Sequence, residues 1–229
     1  MKRYLVIAVS LCAVAFVRAE AADGIIVAGG SVSGDDSAYA GAVIALPGSS
    51  LGHGWAVKAA ANGGRYKYSG GVGEVSATYY GGAIGAVYQL SGKWGWANIS
   101  AGARFTQTHL SPFDPGNARA GFRTDFAPSS DGAFNLDPHW RLGWYGEGGV
   151  RDRYYLTRVE LTRSVGAGRW RLGAEGGVQG DPTYRKERGG AVAAVKLTPK
   201  LEAHLSGGAE FQRDGKTKPY VTLGFGLSF

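Results

Sequence analysis

The last stretch of the chain, Tyr220 to Phe229, constrains the fold most. It reads Tyr-Val-Thr-Leu-Gly-Phe-Gly-Leu-Ser-Phe. Val221, Leu223, Phe225, Leu227 and Phe229 share one parity, and Tyr220, Thr222, Gly224, Gly226 and Ser228 share the other. Successive side chains of a strand point to opposite faces, so one face is wholly apolar and the other small or polar. A period of two scatters apolar residues around a helix, which excludes the helical reading. A half-buried strand of a soluble sandwich also alternates, so the rest of the chain must decide.

Two features point to a membrane barrel. The apolar parity ends on the terminal aromatic, Phe229. Thr222, Gly224, Leu227 and Phe229 also resemble the C-terminal signal by which outer-membrane barrels are recognised for assembly. The stretch reads as a closing strand, with lipid outside and lumen inside. At the other end, Lys2 and Arg3 precede an apolar run, Tyr4 to Val17, too short to span a bilayer comfortably. Ala19-Glu20-Ala21 fits a small-x-small cleavage site, so residues 1–21 are expected to be a cleaved secretory leader and 22–229 a single barrel domain. The one cysteine, Cys12, lies in that leader, which leaves no disulfide to form.

Loss of Lys2, Arg3, Arg18 and Glu20 with the leader removes two positive charges from the formal +7. The remaining basic excess suits an anionic partner such as lipopolysaccharide, or simply Arg and Lys set beside Asp and Glu in a lumen. The basic residues are dispersed, which argues against nucleic acid. Glycine is abundant, at 39 residues, but regular alternation between the glycines argues for a barrel rather than disorder. No stretch after the leader is apolar enough for a membrane helix, so any crossing is by strands.

Twelve strands are expected, in an all-β, antiparallel up-and-down transmembrane barrel, with ten as the fallback. The clearest place Ala97, Ile99, Ala101, Ala103 and Phe105 against Asn98, Ser100, Arg104 and Thr106. Trp140, Leu142 and Trp144 oppose Arg141 and Tyr145, and Val159 and Leu161 oppose Arg158 and Glu160. Asn62-Gly63-Gly64 predicts a bulge or kink. Ala118 to Phe126 predicts a weak strand, and 127–138 shows no placeable pattern. Short turns at 91–93, 166–168 and 198–200 alternate with longer loops at 109–117 and 180–189. That matches short periplasmic turns and longer outer loops, in the outer membrane of a Gram-negative bacterium. Trp94, Trp96, Trp140, Trp144 and Trp170 are expected in interfacial girdles.

The sharpest catalytic candidate is His204 with Ser206 and Glu210 on one strand face. Residues two apart on a strand lie roughly 7 Å apart, far for a Ser–His hydrogen bond, and their parity faces the lumen rather than lipid. His53, His109, His139 and His204 lack metal-site spacing, and neither a cofactor nor a metal is expected. Loop residues Asp114, Asn117, Asp181, Tyr184 and Arg185 are the candidate ligand or partner contacts, since recognition concentrates on loops over a rigid scaffold. Tyr145, Arg158, Glu160 and Tyr220 are the candidate lumen residues. Lumen tyrosines offer flat faces to sugar rings, or serve as fillers with satisfied hydroxyls.

Several stretches together resemble one family. They include Ala28-Gly29-Gly30-Ser31, Tyr39-Ala40-Gly41-Ala42-Val43, Leu46-Pro47-Gly48-Ser49 and Tyr66-Lys67-Tyr68. Leu110-Ser111-Pro112-Phe113-Asp114-Pro115-Gly116-Asn117, Gly180-Asp181-Pro182-Thr183-Tyr184-Arg185 and Pro219-Tyr220-Val221 complete the set. In this order they resemble the cellulose biosynthesis protein BcsS family. The resemblance implies a non-enzymatic, accessory outer-membrane role in making, exporting or anchoring cellulose. Its implied partners are outer-membrane lipid, cellulose and other cellulose-synthesis components. The alternatives are a small porin for ions or solutes and a lipid A-modifying barrel enzyme.

Overall fold

A computed structural model describes residues 23–212 and 215–229. The expected leader, 1–21, lies outside the described residues. The strands are β1 (Gly24–Val32), β2 (Asp36–Ala45), β3 (Gly54–Gly70), β4 (Gly73–Gly92), β5 (Gly95–Ser111), β6 (Gly121–Phe126), β7 (Ser129–Asn135), β8 (Trp140–Gly149), β9 (Tyr154–Val165), β10 (Trp170–Gly180), β11 (Arg185–Lys196), β12 (Leu201–Gln212) and β13 (Thr217–Ser228). Each pairs antiparallel with its neighbour, and β1 pairs with β13 from Ile25↔Ser228 to Val32↔Val221, which closes the sheet on itself.

β6 and β7 both lie on β5, one above the other. β6 pairs with Ala103 to Thr108 and β7 with Gly95 to Ser100. Together they fill one barrel position, so the described residues form a closed antiparallel barrel of twelve strands. The break falls at Ala127-Pro128 because proline has no N–H for the ladder. Ala127 N–H donates to the Gly102 carbonyl (2.8 Å), and Gly148 N–H donates to that of Pro128 (3.0 Å), so pairing resumes at once. The expected strand at 118–126 is thus shorter, and half of the unplaced segment 127–138 is its continuation.

The alternation seen in sequence becomes the two sides of the wall. Ile99, Val159, Leu161, Leu172, Leu205, Leu223 and Phe225 are all exposed on the outside. Asn98, Ser100, Thr162, Glu175, Ser206, Tyr220 and Thr222 are buried inside. This inversion of the soluble rule matches a barrel that meets lipid and keeps its polar groups in the lumen. No helix of the described residues is long and apolar enough to cross a membrane.

Both described ends of the sheet, Gly24 and Phe229, lie at one rim, called here the terminal rim; the opposite one is the loop rim. Tryptophan concentrates at the first. Trp140 and Trp170 begin strands there, Trp55 is the second residue of β3, Trp94 sits in the β4–β5 turn, and Phe134 stacks on Trp144 at 4.9 Å. The expected pair of tryptophan girdles is therefore one belt. Trp96 does not belong to it: its register partner Ala133 is buried, and it shares the lumen parity of Asn98. Outer aromatics nearer the loop rim include Tyr80, Phe122, Tyr155 and Phe211.

Three further expectations change. Register runs unbroken through Asn62, Gly63 and Gly64 on both sides, so there is no bulge. The glycine at 64 instead makes room for a ring, since a Cβ there would come within 2.8 Å of the Tyr79 hydroxyl. The loop expected at 109–117 occupies 112–120, because β5 runs on to Ser111, and the loop expected at 180–189 is only 181–184. The charges of Arg185 and Glu187 belong to β11, where they point outward and pair at 2.7 Å.

Candidate functional site

The lumen has two unlike halves. β6 to β12 bring charged side chains inward at nearly every level. Arg158 from β9 lies at the middle of the largest group. It pairs with the Glu175 carboxylate at 2.5 Å and with Glu160 at 3.3 Å, and its Nη2 lies 2.8 Å from His204 Nε2. The Tyr220 hydroxyl donates to the other oxygen of Glu175 (2.6 Å). Three of the four expected lumen residues, Arg158, Glu160 and Tyr220, are thus brought together. Their companions Glu175 and His204 come from β10 and β12, and alternation marks both as lumen-facing. What sequence could not show was that β9, β10, β12 and β13 aim them at one point.

The fourth, Tyr145, donates to Glu147 (2.5 Å), which also meets Arg104 at 3.2 Å. Arg104 in turn lies over the Tyr154 ring at 4.5 Å. Nearer the terminal rim, Arg171 grips Glu202 with two hydrogen bonds of 2.9 and 2.6 Å. A cavity of about 460 Å³ opens at that rim, with Lys93, Arg141, Arg171 and Lys196 on its wall.

Donor atoms of Glu160, Glu175 and His204 lie within 4.8 Å of one another, as a metal site would need. The Arg158 guanidinium already supplies the cation at that point. The proposed catalytic trio does not assemble either. His204 Nε2 faces Arg158 and Glu160, and the buried Ser206 hydroxyl has no hydrogen-bond partner.

The other half, β13 and β1 to β4, is nearly free of charge. On the described strands of this half the lumen-facing charges are Lys58 and Lys218, and Asp35 of the β1–β2 turn pairs with Lys186 of β11 at the loop rim. Gly29, Gly41, Ala60, Asn62, Ala83 and Gly85 line it with small groups. Open space lies against this half: Ala60 and Asn62 are exposed although they face inward, and Tyr39 is 44% exposed.

A loop bridges the loop rim between the halves. Tyr68 on β3 donates to Asp114 (2.8 Å) and accepts from the Asn117 side-chain amide (2.7 Å). Farther along the same loop, Arg119 forms an ion pair with Asp181 and covers the Tyr184 ring at 5.4 Å. Five barrel strands separate β3 from β10 either way round, so 112–120 crosses the mouth. Asp181 also accepts from the backbone N–H groups of Thr183 (2.6 Å) and Tyr184 (3.1 Å). Burial raises the Tyr184 phenol above its usual pKa, against the opposing charge of Arg119. Four of the five expected loop contacts therefore have their polar groups engaged in holding the mouth. Arg185 alone stands outside it.

Closed wall, apolar exterior and charged lumen place the molecule among the porin-like β-barrels. Two solved structures agree on the fold. The KdgM porin superposes with a TM-score of 0.53 at 9% identity, covering 90% of this chain and 99% of that one. The KdgM porin in complex with disordered oligogalacturonate gives 0.52 at 10%, with the same coverage. The translocator domain of the autotransporter NalP from Neisseria meningitidis gives 0.45 at 12%, over 91% of this chain and 87% of that one. No curated protein sequence matches. The family described as cellulose biosynthesis protein BcsS matches residues 26–229, and the chain belongs to it.

Proposed function

We propose that this protein is a non-enzymatic outer-membrane accessory factor of bacterial cellulose biosynthesis or secretion. Family membership supplies the link to cellulose biosynthesis. The observation that carries the location is the inverted wall, apolar outside and charged within, because only a lipid surround rewards that arrangement. The terminal rim with its tryptophan belt then faces the periplasm and the loop rim faces outward. The engaged state of His204 and the unpartnered Ser206 argue against acyl transfer, which needs a Ser–His hydrogen bond. Deletion of the gene in a cellulose-producing Gram-negative host tests the reading. Extracellular cellulose should fall and return on complementation, with the protein fractionating with outer membranes.

A second reading is a small-solute porin, favoured by the open space along Tyr39, Ala60 and Asn62. Conductance in planar bilayers tests it, with the bridging loop as the element that sets its size. In a porin, loss of the Arg119–Asp181 pair should raise the solute current.

A further inference from the structure

We propose that the uncharged half of the lumen is a binding track for a neutral, β-linked glucan chain, with the rings of Tyr39, Tyr79 and Tyr66 as successive stacking platforms. This rests on the accessory reading for the identity of the sugar; the binding surface itself comes from geometry.

Two of the platforms, Tyr39 and Tyr79, are built flat. Tyr39 on β2 lies across its neighbours β1 and β13. A Cβ at Gly29 would come within 2.7 Å of its hydroxyl and 2.8 Å of Cζ, and one at Gly224 within 3.3 Å of the hydroxyl. Only glycine lets a ring lie that close to the wall. Tyr79 on β4 lies over β3 in the same way, 2.8 Å and 2.9 Å from where a Gly64 Cβ would stand. A ring laid along the wall turns its other face to the lumen; Tyr39 is 44% exposed there, while Tyr79 and Tyr66 are half-buried against each other. A tyrosine that merely filled space would be packed on both faces.

The platforms also form a ladder. On β3 the lumen positions ascend as Asn62, Gly64, Tyr66 and Tyr68. Tyr39 pairs with Asn62 and Tyr79 with Gly64, so each successive level toward the loop rim carries a tyrosine. Tyr66 lies 6.2 Å from Tyr79 and 6.1 Å from Tyr68. Two residues of a strand tilted by ~40° rise about 5 Å along the axis, on the order of one hexopyranose unit. Tyr68, held by Asp114 and Asn117, ends the ladder beneath the bridging loop.

Chemistry selects an uncharged ligand. The pyranose face of a β-linked glucose is apolar C–H surface, which suits an aromatic face, and its rim hydroxyls can reach groups such as Asn62. A polyanion would meet a wall with few cations, since Arg104, Arg158 and Arg171 opposite are engaged by carboxylates and Arg188 lies over the Tyr220 ring.

Isothermal titration of cellohexaose into the folded, detergent-solubilised barrel tests this. Saturable binding is expected. Tyr39→Ala should weaken it by roughly threefold to tenfold, the value of one ring contact. Tyr39→Phe should preserve it, and Tyr88→Ala, on the outer face, should leave it unchanged. The proposal is overturned by absence of binding to the folded wild type. Affinity indifferent to both Tyr39→Ala and Tyr79→Ala also overturns it, as does tighter binding of oligogalacturonate than of cellohexaose. Heat-modifiable migration on gels shows that each variant is folded. If binding is absent while gene deletion still lowers cellulose, the track falls and the accessory role stands.

Discussion

The two halves of the lumen use the same strand alternation for opposite ends. From β6 to β12, inward positions carry long charged side chains that reach one another across strands. From β13 to β4, they carry glycine, alanine and tyrosine rings laid along the wall. The first half fills the lumen and ties the wall together, while the second leaves it open. A barrel of this size would be hollow or blocked if both halves were alike. Placing the salt bridges on one side lets it be both braced and accessible.

The largest expected effect tests the bracing half. Arg158→Ala strands the fully buried Glu175 side chain without its cation, and breaking a buried pair in this way should cost about 3 kcal/mol. Urea unfolding in micelles measures it, and a loss near zero would deny the charged half any bracing role. Next comes the outer surface of the open half. Leu223→Arg puts a cation at the middle of β13 against lipid, at a cost of about 2 kcal/mol, while its inward neighbour Thr222 tolerates polarity. Folding into vesicles of defined composition would show the difference.

Gly29→Ala sharpens the comparison further. Its Cβ would meet the Leu223 carbonyl at 2.6 Å and push the Tyr39 ring away, so about 1 kcal/mol of stability should go together with weaker cellohexaose binding. Ala60→Gly, on the same half but paired with Gly41 and Ala83 rather than with a tyrosine, should affect neither property in that way. The smallest effect lies at the terminal rim. Backbone N–H groups of Trp140 and His139 donate to the Asp137 carboxylate (2.7 and 2.6 Å) and hold its pKa below the ordinary range. Such a group stabilises the turn above the unfolded pKa, and the contribution is lost as pH falls through the lower folded value. Asp137→Asn should therefore speed amide exchange at Trp140 at neutral pH, and the difference from wild type should shrink as pH falls through the depressed folded pKa of Asp137.

Most of the barrel is legible in sequence because parity is a local property. Val221 to Phe229, Ala97 to Phe105 and Tyr155 to Leu161 each show their two faces without help from neighbours. Strand number was harder at 118–138, where Pro128 divides one barrel strand into two short pieces and Gly132 and Ala133 give little contrast. Trp96 departs from the expected girdle because its parity with Asn98 turns it toward the lumen, which aromatic identity alone does not show. Tyr145, Arg158, Glu160 and Tyr220 face inward as parity requires, whereas the engagement of Asp114 by Tyr68 and of Asp181 by Arg119 depends on which strands stand opposite. The glycine platforms are the least legible of all. Gly29 and Gly224 are almost two hundred residues apart, and only barrel closure puts both beneath Tyr39.

The most direct test is extracellular cellulose in a deletion strain of a cellulose-producing host, complemented either with the wild-type gene or with the Tyr39→Ala, Tyr79→Ala double variant. The account predicts that deletion lowers cellulose and that the wild type restores it. The double variant should reach the outer membrane in equal amount yet fail to restore it. Unchanged cellulose in the deletion strain, with reduced uptake of small solutes, would contradict the account and identify the barrel as a porin.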